Sequence, residues 1–190
     1  MTSLRATQYP QADEEIQLAR QALTDANAFT ELYRRNVTRV YRYHMAHCGN
    51  VKDTEDLTSQ TFMAALEGIR SFRGTGSFAA WIMGIASKKR LMHFRGSRPE
   101  VSLDEAVHYP SLDLPTDQAA TQRLQLASVS RALRQISTDR AEAITLSYFA
   151  GLTNLEISHV MKKSEGAVKM LISRGLQDLR ERTSLALEVE

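Results

Sequence analysis

TNLEISHVMKKSEGAVKMLISR, residues 153–174, is the stretch on which the fold assignment turns. Thr153 and Glu156 have the Thr-x-x-Glu spacing of a capping box, in which a hydroxyl and a carboxylate satisfy backbone N–H groups at a helix start. Leu155, Ile157, Val160 and Met161 give that helix its apolar residues, and Lys162 and Lys163 make a turn. Ser164 then caps a second helix. Its apolar residues are Val168, Leu171, Ile172, Leu176 and Leu179, and Lys169, Arg174, Arg180 and Arg182 are basic. Two helices joined by a turn of three or four residues, the second one basic, form the helix-turn-helix pattern that enters the DNA major groove. A solvated helical hairpin has the same spacing, so this pair by itself leaves both readings open.

Upstream, residues 138–149 and roughly 117–135 also read as helices, and before them the composition changes sharply. Residues 99–122 hold five acids (Glu100, Asp104, Glu105, Asp113, Asp117), no Lys or Arg, and three of the four prolines. Residues 11–98 and 116–190 contain no proline. This predicts two helical domains, residues 1–98 and 119–190, joined by an acidic linker over 99–118 that is longer than connections inside compact domains usually are. The net charge of +2 conceals a partition: from Gly68 to Arg98 there are seven basic residues and no acid.

The first domain reads as helices almost without a break. Phe29, Leu32, Tyr33, Val37, Val40, Tyr41, His44, Met45 and Cys48 follow the spacing of one helix face, with Asp25 as N-cap and Gly49 as the stop. A shorter helix from about Glu14 to Leu23 precedes it. The next helix begins near Asp53, which can cap its first turn, and buries Leu57, Phe62, Leu66 and Ile69. After the loop from Phe72 to Gly76, Ser77 caps a helix carrying Phe78, Trp81, Ile82, Ile85 and Met92 on one side, which ends at Gly96 and Pro99.

Several classes are excluded. The chain has 190 residues, 43% of them apolar, so disorder throughout is ruled out, and its longest uncharged run, Gly74 to Ser87, is too short for a membrane span. No membrane insertion is expected. The N-terminus MTSLRATQYPQADEE lacks a secretory pattern, which predicts a cytoplasmic protein. A single cysteine, Cys48, permits no internal disulfide and no multi-cysteine zinc site. His44, His47 and Cys48 stand at i, i+3 and i+4, from where two or three ligands could reach one metal, but His44 and Cys48 fall on the apolar stripe, where buried thiols are ordinary. No metal and no cofactor is predicted. No P-loop, Gly-x-Ser-x-Gly or His-Glu-x-x-His motif is present, and no enzymatic activity is predicted.

Asp53-x-Glu55-Asp56-Leu57-x-x-Gln60-Thr61-Phe62, followed by Phe72-Arg73-Gly74 and Phe78-x-x-Trp81-Ile82-x-x-Ile85-Ala86, resembles region two of the extracytoplasmic-function (ECF) sigma factors of bacterial RNA polymerase. Tyr148-Phe149-x-Gly151-Leu152-Thr153-x-x-Glu156-Ile157, with Ser164-x-Gly166-x-Val168-Lys169 and Ser173-Arg174, resembles region four. The resemblance implies an all-α protein that binds core RNA polymerase and promoter DNA, directs initiation, assists melting, and is restrained by an anti-sigma factor. It assigns Asp53, Glu55, Asp56 and Gln60 to the polymerase clamp. Phe72, Arg73, Gly74, Lys88, Lys89 and Arg95 go to the minus-ten element, with the loop forming a pocket for a flipped base. Thr153, Asn154, Ser164, Glu165, Lys169, Met170, Ser173 and Arg174 go to the minus-thirty-five element. The chain departs from the family pattern at Ser87-Lys88, where Arg-Asn is usual, at Met92, where Asp is, and at Met170 and Leu171, where Ser and Arg are more frequent. The alternative is a regulator that uses only the C-terminal helix-turn-helix, with an N-terminal sensor or dimerisation module.

Overall fold

Capping chemistry sets the helix boundaries. The computed structural model describes residues 9–96 and 128–187. In the first half, α1 (Tyr9–Gln21) leads into α2 (Ala26–Cys48), α3 (Val51–Gly68), a 3-10 turn (Ile69–Ser71) and α4 (Phe78–Gly96). In the second half, α5 covers 128–133, followed by α6 (Thr138–Tyr148), α7 (Asn154–Met161) and α8 (Glu165–Leu187). The linker 99–118, Pro99 and the start of the helix expected over 117–135 lie outside the described residues; that helix ends at 133.

The Asp25 carboxylate accepts from the Asn27 N–H at 2.8 Å and starts α2 as the sequence predicts. Gly49 ends it in the left-handed conformation, φ 73°. Glycine is required there twice over: side chains rarely adopt that φ, and a Cβ would stand 2.8 Å from Ser130 Oγ on α5. The start of α3 differs from expectation. Asn50, not Asp53, is the cap; its oxygen accepts from the Asp53 N–H at 2.9 Å, which puts Asp53 inside the first turn.

The buried side of α3 also differs. Leu66 is 52% exposed, and Thr54, Thr58 and Thr61 lie inside with Leu57, Phe62 and Ala65. Each threonine hydroxyl donates to the carbonyl four residues back, at 2.6–2.7 Å, so the interior holds no unpaired hydroxyl there. On α4, Phe78, Ile82, Met83 and Ala86 are buried, whereas Met92 is 59% exposed.

The linker's composition predicts two halves on a tether, yet the halves pack together. One apolar cluster combines Phe78, Ile82 and Met83 of α4 with Leu146, Ala150, Leu152, Ile157 and Val168 of the second half. A second joins Ala46 of α2 to Leu133, Ala141 and Ile144. Ser130 Oγ donates to His47 O and Arg134 to Cys48 O, satisfying carbonyls that the last turn of α2 leaves open. A domain of about 60 residues buries only ~60% of its chain surface on folding, and here each small half covers apolar surface that the other leaves open.

Candidate functional site

The capping box at Thr153 forms as the sequence predicts, with Glu156 carboxylate accepting from the Thr153 N–H at 2.8 Å. Lys162 then turns the chain in the left-handed conformation, φ 53°, and Ser164 Oγ accepts from the Ala167 N–H at 3.2 Å to start α8. Thr153, Glu165, Lys169, Ser173 and Arg174 are exposed, Asn154 is partly so, and Met170 is 50% exposed. Lys169 and Arg174 are five residues apart, about 140° around the helix, and they line different grooves. Lys169 shares one with Asn154, Ser173 and Arg180. Arg174 shares the other with Arg140, Lys163 and Met170. Arg180 and Lys163 are additions that sequence reasoning left out of the site. Their signal was charge near the motif, but only the fold shows which groove each side chain borders. Glu165 has a local partner: it pairs with Lys169 at 2.9 Å, one turn on.

In the first half, Gly74 takes φ 69° and lays the loop against α1, where a Cβ would meet Ile16 Cγ2 at 3.3 Å. Phe72 is partly exposed and contacts Phe78 and Trp81 edge-on or tilted, with ring centroids 5.6 and 5.5 Å away. Arg73, Lys88 and Arg95 are exposed and Lys89 is partly so. Leu91 (39%), Met92 (59%) and Phe94 (43%) are exposed among these bases, a mixture of charge and apolar surface along the end of α4.

On α3, Asp53, Asp56 and Gln60 share one face by helical spacing, while Glu55 is turned about 100° from Asp56. Asp56 and Gln60 are exposed. Asp53 is held by Asn50 Nδ2 at 2.9 Å and lies 3.6 Å from His93 Nε2 of α4. Met63, 63% exposed, stands one turn beyond Gln60 at the edge of this face and adds apolar surface to its end.

The junction of the halves contains a polar cluster that the sequence analysis did not find. Glu142 of α6 is 6% exposed. Its Oε1 accepts from Tyr43 Oη at 2.8 Å and from Ser87 Oγ at 2.7 Å, and its Oε2 pairs with Arg90 Nη2 at 2.9 Å. Arg90 Nε also donates to Tyr43 Oη at 3.1 Å. His47 Nε2 stands 2.9 Å from Thr145 Oγ1 and 3.3 Å from Glu142 Oε2. Burial alone would raise the Glu142 carboxyl, but the His47 hydrogen bond and the Arg90 charge outweigh it and hold it down at about 2. A signal was present: Ile82, Ala86 and Arg90 are spaced four apart, so a base interrupts an apolar stripe and needs a buried counter-charge.

His44, His47 and Cys48 do not converge on one point. His44 Nε2 is 3.0 Å from Thr61 Oγ1, inside the first half, whereas His47 reaches across to Thr145. Burial, and then the Asp53 charge, push the Cys48 thiol up to about 12. Among the described residues, no three His, Cys, Asp or Glu side chains are grouped to hold a metal ion.

Comparison with known proteins yields two family models in order along the chain. Sigma-70 region 2 matches residues 32–100, and Sigma-70, region 4 matches residues 126–179. The chain is 34% identical over 158 residues to the ECF RNA polymerase sigma factor BldN of Streptomyces coelicolor, a match covering 82% of this chain and 60% of that relative. The chain thus spans about 60% of the length of BldN. Among solved structures, CnrH in complex with the cytosolic domain of CnrY superposes with a TM-score of 0.72 at 24% identity, covering 90% of this chain and 97% of that one. The sigma factor RpoE in complex with the anti-sigma factor NepR, from Bartonella quintana, gives 0.62 at 21% identity, covering 80% and 94%. At those identities the likeness is one of fold.

Proposed function

This chain belongs to the extracytoplasmic-function sigma factors, and on that premise we propose that it binds core RNA polymerase and directs promoter-specific initiation of transcription. The observation that carries this reading is the pairing, in one chain, of an acid-free basic helix, α4, with a capped helix-turn-helix whose grooves are lined by Lys169, Arg180, Lys163 and Arg174. Each can supply phosphate contacts, which suits a specificity subunit that holds promoter DNA for the polymerase.

In this reading Asp56 and Gln60, with Asp53 and Glu55, form the polymerase-facing side of α3, and exposed Met63 adds an apolar anchor to it. Phe72, Arg73, Gly74, Lys88, Lys89 and Arg95 serve the minus-ten element. Thr153, Asn154, Ser164, Glu165, Lys169, Met170, Ser173 and Arg174 serve the minus-thirty-five element, with the exposed N-terminus of α7 near phosphate. An anti-sigma factor is the expected restraining partner. No described helix is long and apolar enough to cross a membrane. The match of residues 32–100 to region 2 disfavours a regulator with an unrelated N-terminal module. Gel filtration of the full chain with core polymerase tests the proposal. Co-elution in one peak is expected; separate elution at micromolar concentrations of both would reject it.

A further inference from the structure

We propose that α1, which precedes both matched regions of the chain, forms one wall of the minus-ten single-strand site: Ile16 fixes the loop at Gly74, and the Arg20 guanidinium beside it takes a phosphate next to the captured base. The strand as ligand rests on the sigma-factor reading, whereas the wall itself rests on geometry.

Helical spacing divides α1 into two sides. Glu15 and Ala19, four residues apart, are buried: Ala19 belongs to the same apolar cluster as Phe78 and Ala79 of α4, and Glu15 accepts from Asn36 Nδ2 of α2 at 3.0 Å. Glu14 pairs with Arg35 of α2 at 3.0 Å. These contacts hold α1 in place. Ile16 and Arg20, also four residues apart, turn toward the loop that follows Phe72.

Gly74 is where the helix and the loop meet. A Cβ there would stand 3.3 Å from Ile16 Cγ2 and 3.8 Å from Arg20 Nη2. The φ of 69° already favours glycine, and the bare Cα lets the loop lie closer to α1 than a side chain would allow. Two residues on, a Cβ at Gly76 would meet nothing within 4 Å, so the loop is backed at Gly74 and open at Gly76. A loop fixed in this way binds without first having to be ordered.

Arg20 has no structural partner. It is exposed, and among the described residues its side chain makes no ion pair and no hydrogen bond. Arg35, by contrast, is held by both Glu14 and Glu31. The loop places Arg73 directly before Gly74, and no acid lies between Gly68 and Arg98, so Arg20 adds a cation where the loop offers no counter-charge. Like charges gathered in this way repel one another until an anion arrives. A single strand supplies both a phosphate for Arg20 and a base face for the partly exposed Phe72. The phosphate of a duplex would meet the same charge, and the experiment separates the two sources.

Arg20→Gln tests the contact, because it removes the charge at an exposed position and keeps much of the side chain. The unaltered chain, Arg20→Gln, Arg20→Lys and Ile16→Ala are each loaded on core polymerase. Each complex is titrated over a salt series into fluorescein-labelled single strands of random sequence, and into the same pool as duplex, with core polymerase alone as the baseline. Arg20→Gln is expected to keep its helix content by circular dichroism, to weaken single-strand binding about fivefold at low salt, and to reduce the salt slope by ~0.7, the value for one single-strand phosphate. Arg20→Lys should keep the slope, and duplex binding should not change. Ile16→Ala loosens the loop but leaves the charge. It should weaken single-strand binding about threefold at every salt concentration with the slope intact, as when the bound loop conformation is populated about a third of the time.

An unchanged slope for Arg20→Gln overturns the proposal, and so does an equal loss on duplex. A loss of affinity for core polymerase itself also overturns it, because the partner of Arg20 is then a protein surface. Ile16→Ala reads the wall independently of Arg20, and affinity equal to that of the unaltered chain rejects it. If the unaltered chain adds nothing to the single-strand binding of core polymerase, the minus-ten assignment fails and the proposal falls with it. If the unaltered chain adds binding and both variants match it, only the wall is rejected.

Discussion

Arg90 continues the stripe of Ile82 and Ala86 one turn further along α4, and its guanidinium is tolerated there because Glu142 meets it at 2.9 Å. The neighbouring imidazoles are handled differently. Burial, and then the charge of His47, push His44 down to about 3, and burial lowers His47 as well, so both are held neutral. An unfolded chain binds protons on these residues near their ordinary value of 6.5, before the folded one does. Folded-state stability is therefore lost as pH falls through ~6.5. The depressed Glu142 carboxyl adds a further loss between about 4.5 and about 2. Thermal unfolding followed by circular dichroism should give a Tm that is level above pH 7 and falls steadily below about 6.5; a Tm that rises on acidification contradicts the burial of neutral imidazoles. At the reading surface, Lys169 is exposed and paired only with Glu165, one turn away, so it suits a phosphate contact. Lys169→Ala should weaken binding equally on all promoter variants and reduce the salt slope by about one. Met170→Ala should change the ranking of minus-thirty-five variants, because a half-exposed thioether offers dispersion contacts to a thymine methyl. Filter binding over a base-substituted promoter set separates the two, and base preference altered only by Lys169→Ala would contradict the assignment.

Among the elements, α3 shows where a hydropathy pattern stops being informative. Its inward side alternates leucine and phenylalanine with Thr54, Thr58 and Thr61, whose hydroxyls return to their own helix. A reading based on large apolar residues therefore places Leu66 inside when it is half-exposed. The cap moved for a related reason: Asn50 and Asp53 are both good acceptors, and only the chain's entry from Gly49 decides between them. By contrast α7 and α8 were legible, because a capping box, a turn and a capping serine are all local signals. The outer face of α3 carries its own prediction. Asp56 and Gln60 are exposed and make no contact on which the helix depends, so replacing both by Ala should leave helix content unchanged and weaken core-polymerase binding by about tenfold, equivalent to ~1.4 kcal/mol. Fluorescence anisotropy with labelled chain checks this, and unaltered affinity would remove α3 from the polymerase interface.

For the whole molecule, both helical halves could be read from the sequence, but their docking could not. The acidic, proline-bearing composition of 99–118 predicts a tether, and a tether says nothing of whether the bodies it joins adhere. Adhesion depends on Ile157, Leu152 and Val168 meeting Phe78 and Ile82, and on Glu142 meeting Arg90, pairs that local periodicity cannot connect. The same reasoning explains why His44, His47 and Cys48 suggest one metal site in sequence and serve separate purposes in the fold: His44 stays within the first half and His47 bridges the junction. The central claim is that this chain gives core RNA polymerase a choice of promoter. Run-off transcription from genomic fragments, with purified core polymerase alone and with the chain added, tests that most directly. The account predicts discrete transcripts only when the chain is present, lost when either the minus-ten or the minus-thirty-five element is scrambled. Transcripts that are the same with and without the chain would contradict it.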